Sequence, residues 1–159
     1  MITNYICSSD YIKGVKESTK AKRETNDCVV RAIASATDMD YDTAHEYVRK
    51  TFKRKEGKGT HDFQYKMNIM AKNGEKINGK SIKIITEEHN TMFYYVTVKG
   101  VKKLRSTTTG SFIKKYPKGT FVIVVNRHAF TIKDGVIIGR SQDGKQLKKQ
   151  IYNVWKIGE

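Results

Sequence analysis

The sequence predicts an α+β fold in which N-terminal helices pack on a mainly antiparallel C-terminal sheet. Three observations lead there. The strongest helical periodicities lie before Gly74, β-branched and aromatic runs fill the second half, and the links between the late strands read as short hairpin turns. At 159 residues the chain can build one hydrophobic core. A single proline leaves little room for a rigid linker, so we expect one domain over residues 1–159.

Residues 1–24 are polar and mixed in charge, and we expect an irregular or partly helical lead-in. Thr25-Asn26-Asp27 then offers three successive N-cap side chains before CVVRAIASAT, where Val29, Val30, Ile33 and Ala34 share a helical face. Asp38-Met39-Asp40 is a break, and Asp40 caps a second helix, YDTAHEYVRKTF, with Tyr41, Ala44, Val48 and Phe52 on one side. After a loop from Lys53 to Gly59, Thr60 is the expected cap of a third helix. There Phe63, Met67, Met70 and Ala71 follow helical spacing, and Asn73-Gly74 supplies the stop.

Ser81–Thr86 and Met92–Val98 read as strands from their β-branched and aromatic content, with a polar loop over Glu87-Glu88-His89-Asn90 between them. Thr107–Tyr116 reads as a short helix stopped by Pro117-Lys118-Gly119. Thr120–Val125 and Arg127–Ile132 are strand-like. Lys133-Asp134-Gly135 is a hairpin turn into Val136–Ile138, and Gln150–Ile157 forms the last strand.

Composition narrows the function classes. Phe121 to Val125 is the longest clean apolar run, far short of the roughly 20 residues that a bilayer-spanning helix needs. Met1-Ile2-Thr3-Asn4 lacks the basic and then apolar pattern of a secretory leader. We therefore expect a cytoplasmic protein with no membrane partner, its two cysteines, Cys7 and Cys28, kept as free thiols. The net charge of +15 is unevenly spread: residues 1–50 balance eight Lys/Arg against eight Asp/Glu, whereas residues 101–159 carry thirteen against three. Such a field attracts polyanions without defining a site. Two cysteines and four scattered histidines show no zinc spacing, and the glycines form no phosphate-binding loop, so neither a metal nor another cofactor is expected.

One constellation can carry chemistry. Cys28 opens its helix, where unpaired N–H groups and the positive end of the dipole favour a thiolate, the reactive form. Asp27 beside it opposes that ionisation. The competing reading of Cys28 is a small packed hydrophobe. His128 lies in an apolar strand, on the face of Phe130 and Ile132, and taken alone it reads as a core histidine. Asp143, fifteen residues on and across the hairpin, can hold the imidazole tautomer and stabilise its charged form. His45 and His61 on helices, and His89 in its loop, are expected to face solvent. Asp134 is a turn residue, and Cys7 is expected to serve packing.

A cysteine opening an early helix, then a histidine on a late strand with a carboxylate one hairpin on, resembles the order of the papain-like cysteine peptidase superfamily. NDCVVRAIASATDMDYDTAHEYV, GTHDFQYKMNIMAKNG, SFIKKYPKGTFVIVVNRHAFTIKDGVIIG and IYNVWKI, in that order, are similar to stretches of its small phage and bacterial members. The resemblance implies a papain-like fold, Cys28 as nucleophile, His128 as general base and an acyl-enzyme. Lys22 stands where such enzymes usually carry the glutamine that helps bind the oxyanion, which turns attention to the Asn26 amide or the Cys28 N–H. Gly139 stands where many small relatives carry an aspartate, so the third member would be Asp143 from a later position.

Two functions follow. The first is a thiol hydrolase or acyl-transferase acting on a peptide, isopeptide or amide bond of a protein or peptide substrate, a host protein if the chain is phage-borne. The second is a non-catalytic binding protein on the same fold. Its basic surface, including Lys102, Lys103, Lys114, Lys115, Lys118, Lys148 and Lys149, would meet nucleic acid or an acidic host protein, with nearby tyrosines available to stack.

Overall fold

In the computed structural model, which describes residues 5–86 and 92–159, a short strand and five helices precede most of the sheet. They are β1 (Tyr5–Cys7), α1 (Ser8–Tyr11), α2 (Thr19–Arg23), α3 (Cys28–Thr37), α4 (Tyr41–Phe52) and α5 (Phe63–Lys72). Strands β2 (Lys76–Ile77), β3 (Lys80–Ile85), β4 (Phe93–Val98) and β5 (Val101–Ser106) lead to α6 (Thr109–Lys115). Then come β6 (Thr120–Val125), β7 (His128–Lys133), β8 (Val136–Gly139), α7 (Ser141–Lys145) and β9 (Asn153–Ile157). The expected loop around His89 and the start Met1–Asn4 lie outside the described residues. Among the described residues, no helix is long and apolar enough to cross a membrane.

The main sheet has the order β1-β8-β7-β6-β9-β3-β2 and is antiparallel except for β1 beside β8. Among the described residues, β4 and β5 pair only with each other. Three two-residue turns, Asn78-Gly79, Lys99-Gly100 and Asp134-Gly135, have positive φ at both positions, as a type I′ hairpin turn requires. Two of the hairpins, β2–β3 and β4–β5, go beyond the sequence reading, although Asn-Gly is a strong local signal for such a turn.

Alternation splits the core into two layers. Val122 and Val124 of β6, Ala129 of β7 and Trp155 of β9 pack against the helices, with Val30, Ile33, Tyr41, Val48 and Met67. Phe121, Ile123, Phe130, Ile132 and Val154 face the opposite side, where Phe112 of α6, Met92 and Ile151 cover them. α3 lies against β7 through polar contacts as well. Ser35 Oγ donates to Thr131 Oγ1 at 2.8 Å, and Thr131 Oγ1 in turn donates to Ala32 O at 2.9 Å. Both side chains are buried, so this bridge sets the helix at one height along the strand.

The caps depart from the sequence reading. Asp27 and Asp40 occupy N-cap positions but make no capping hydrogen bond. The Asp27 carboxylate is instead held by Arg31 Nε at 3.0 Å and by the Tyr41 hydroxyl at 2.7 Å, charged and buried partners that outcompete the helix amides. Asp62, in a left-handed conformation, occupies the N-cap position of the third helix, also without a capping hydrogen bond, so Thr60 stands two residues too early. The lead-in is more ordered than expected: β1 extends the sheet as a parallel edge strand, with Tyr5 opposite Ile137 and Cys7 opposite Gly139.

Candidate active site

The segment before Cys28 is pinned from the side of α4. The Glu24 carboxylate accepts from His45 Nε2 at 2.7 Å, from Gly57 N at 2.7 Å and from Arg54 Nη1. Arg54 Nη2 donates to Thr25 O at 3.3 Å, and Asn26 Nδ2 donates to Gly57 O at 3.2 Å. Asn26 adopts a φ of +58°, turning the chain into α3 so that Cys28 becomes its first residue. His45 is therefore buried, not solvated as the sequence suggested. It lies one helical turn after Tyr41, at the flank of the buried face, and Glu24 supplies the partner that makes burial tolerable.

His128 opens β7 immediately after the Asn126-Arg127 turn and is buried. Its Nε2 lies 2.9 Å from Asp143 Oδ2, and the ring also stands beside the Cys28 thiol. The Ala129 backbone N–H lies beside the Cys28 sulfur as well. Asp143 is buried in the first turn of α7, where its Oδ2 accepts the Arg140 N–H at 2.8 Å. Gly139 makes the room. A Cβ there would collide with Asp143 Oδ2 and stand 3.1 Å from Phe130 Cβ. The glycine at the end of β8 and the aspartate four residues on thus form one device.

These contacts set the charges. Burial pushes the Cys28 thiol up, but the hydrogen bonds from His128 and the Ala129 N–H, with the imidazole's charge, outweigh it and bring the thiol below its ordinary value. Asp27 acts weakly in the opposite sense, and Arg31 and Tyr41 already engage it. Burial disfavours a charged His128, yet its bonds to Asp143 and Cys28 raise it above its ordinary value. Both shifts favour a thiolate beside an imidazolium.

Two clefts open beside this pair, with volumes of about 610 Å³ and about 560 Å³, and both are lined by Asn26, Cys28, Arg127, His128 and Ala129. The arrangement offers a nucleophile, a proton carrier oriented by a carboxylate, and space for a substrate on each side. Asn26 reaches the rim of both clefts. Lys22 is exposed on α2 and lines neither.

The lysines of the expected basic surface lie elsewhere. Lys102 and Lys103 are on β5, Lys114 and Lys115 end α6, Lys118 is in the following turn, and Lys148 and Lys149 follow α7. None lines either cleft. Cys7 on β1 lines the larger cleft, and His61 lines the smaller one as an exposed side chain. Asp134 is a turn residue whose Oδ1 also accepts the Gly119 N–H at 2.8 Å. Among the described residues, no group of three or more His, Cys, Asp and Glu side chains could hold a metal ion. The sequence reading missed Arg127 and Arg140, which rim the larger cleft. Their signal was position: each sits in a link next to a residue of the site, Arg127 directly before His128 and Arg140 directly after Gly139. Comparison with protein-family models, curated proteins and solved structures finds no significant match to the chain.

Proposed function

We propose that the chain is a papain-like cysteine hydrolase or acyl-transferase that breaks a peptide, isopeptide or amide bond. The observation that supports it is the continuous run from the Cys28 thiol through the His128 ring to the buried Asp143 carboxylate, open to a cleft at its cysteine end. The Cys28 thiolate attacks the carbonyl carbon, a C–S bond forms, and the carbonyl π electrons move to oxygen. The N–H of Cys28, left without an intrahelical partner in the first turn, and the remaining Asn26 amide hydrogen are the donors we assign to that oxygen. The intermediate collapses, the C–N bond breaks, and the amine leaves with the proton of the His128 imidazolium. Water then attacks the thioester while His128 takes one of its protons. The acid is released and Cys28 returns to the thiolate beside imidazolium. An amine in place of water gives transfer. Asp143 keeps the ring oriented and stabilises its charge throughout.

The test is amine release from a mixture of peptide amides. The wild-type chain should release amine, a folded Cys28→Ala chain should release none, and a folded His128→Ala chain should release it on the order of 10²-fold more slowly or worse. Release by Cys28→Ala at the wild-type level would overturn the reading.

A second reading, a basic binding protein, is favoured by the β4–β5 hairpin. It stands apart from the main sheet and carries the exposed cations Lys99, Lys102, Lys103 and Arg105. Tyr95 and Leu104 are about half exposed, at 49% and 53%, and the Lys102 ammonium lies 4.6 Å from the Tyr95 ring centroid. On this reading, affinity for DNA or RNA falls steeply with salt, because each neutralised phosphate releases counterions. Charge reversal at Lys102 and Lys103 should weaken it and Cys28→Ala should not.

A further inference from the structure

The two clefts differ in chemistry and meet at the reacting thiol. The smaller runs toward the start of α5, between Phe63, Gln64 and Tyr152. The larger runs toward β1 and the end of β8, between Tyr5, Phe130 and Ile138. Because both are lined by Cys28 and His128, a chain lying along both would pass its backbone over the sulfur. A small amide would occupy only one.

The larger cleft has an uncompensated positive rim. Of the carboxylates near it, Asp27 is engaged by Arg31 and Tyr41, and Asp143 by His128 and the Arg140 N–H. Arg127 and Arg140 are exposed, and neither has an ion-pair or hydrogen-bond partner for its guanidinium among the described residues. Their backbones are tied to the site itself. Arg127 is held at a φ of +57° in the turn that delivers His128, and the Arg140 N–H is bonded to the Asp143 carboxylate. Two unpaired guanidiniums lining one cleft supply the donors and the charge that a carboxylate ligand needs.

We propose that the substrate is an extended polypeptide carrying an aspartate or glutamate in the larger cleft, close to the bond attacked by Cys28 and recognised by Arg127 and Arg140. This rests on the reading of Cys28 as nucleophile. It adds that selectivity comes from charge, and that substrate is recognised on both sides of the scissile bond.

The experiment uses the full chain and a library of acetylated ten-residue peptides randomised at every position, with cut sites read by mass spectrometry. We expect Asp or Glu to be favoured over Asn or Gln by about ten-fold or more at one position near the cut, the scale of a charge-assisted contact. The Arg127→Gln, Arg140→Gln double variant should reduce that ratio to about one, and Arg140→Glu should shift the preference toward Lys. Cutting with no acidic preference, or a preference that survives the double variant, overturns the proposal and leaves the hydrolase reading standing. If no peptide is cut, the best-binding Glu peptides selected from the same library are titrated against Cys28→Ala by fluorescence anisotropy. Tighter binding than their Gln counterparts, lost in the arginine variant, supports acidic recognition without hydrolysis, and equal binding overturns it.

Discussion

Cys28 and Cys7 line the same cleft, yet their surroundings differ in the feature that decides thiol reactivity. Cys28 has an imidazole and a backbone N–H at its sulfur, and both favour the thiolate. Iodoacetamide at neutral pH should therefore modify Cys28 well ahead of Cys7, with peptide mass mapping as the readout, and equal labelling would refute the ion pair. In wild type the alkylation rate should rise with pH below the ordinary thiol pKa of about 8.5. In His128→Ala the groups that lower the Cys28 pKa are reduced to the Ala129 N–H while burial still raises it, so the rise should move to higher pH. The neighbouring residues make a second prediction. His128→Ala removes the proton carrier and should cost on the order of 10²- to 10⁴-fold in turnover. Asp143→Asn, which can still orient the ring, should cost less. Gly139→Ala should cost on the order of 10²-fold by displacing the carboxylate, and wild-type turnover in this variant would show that Asp143 does not orient His128.

At the scale of elements, catalytic geometry depends on how α3 sits against β7, because one carries the sulfur and the other the ring. The Ser35–Thr131 bridge fixes that relation from the last turn of α3 and the middle of β7, seven residues after Cys28 and three after His128. Thr131→Val keeps the shape but removes a buried hydroxyl that both accepts and donates. It should lower unfolding free energy by about 1–3 kcal/mol, measured by urea titration, and slow alkylation of Cys28 as the two elements lose register. A variant as stable and as reactive as wild type would place that register in apolar packing alone. The helices themselves were legible because their period is local: Tyr41, Ala44, Val48 and Phe52 are all buried in α4, as their spacing implies. The pairing of β1 with β8 was not legible, since a three-residue edge strand has too few residues to show alternation.

Across the whole molecule, the lysine-rich surface and the cleft are separate. The lysine-rich segments are on β5, α6 and the link after α7, whereas the cationic side chains lining the larger cleft are, among the described residues, arginines. On the opposite flank, the buried Glu24–Arg54 pair ties the approach to Cys28 to the loop after α4. Burial raises Glu24, but hydrogen bonds from Arg54, Gly57 and His45 outweigh it and hold the carboxyl below its ordinary value. A group with a depressed folded pKa contributes stability above its unfolded value, about 4.3 for glutamate, and loses it as pH falls through the folded value. Stability to urea should therefore begin to drop as pH falls below about 5 and go on dropping through the folded value. Glu24→Gln should remove part of that slope and cost about 3–5 kcal/mol near neutrality, because it leaves Arg54 buried without a counter-charge. An unchanged acid slope in Glu24→Gln would assign it to other carboxylates.

The sequence by itself determined the helix periods, the late hairpin at Asp134-Gly135, the position of Cys28 at a helix start and that of His128 at a strand start. These depend on spacings of a few residues, which the backbone reads locally. Tertiary structure alone decided that β9 lies between β6 and β3, that His45 is buried against Glu24, and that Arg127 and Arg140 rim one cleft. It also decided that the absence of a side chain at Gly139 is what lets Asp143 reach His128. Each of these depends on which distant segments become neighbours and on how much space lies between them, and neither quantity is carried by periodicity or propensity.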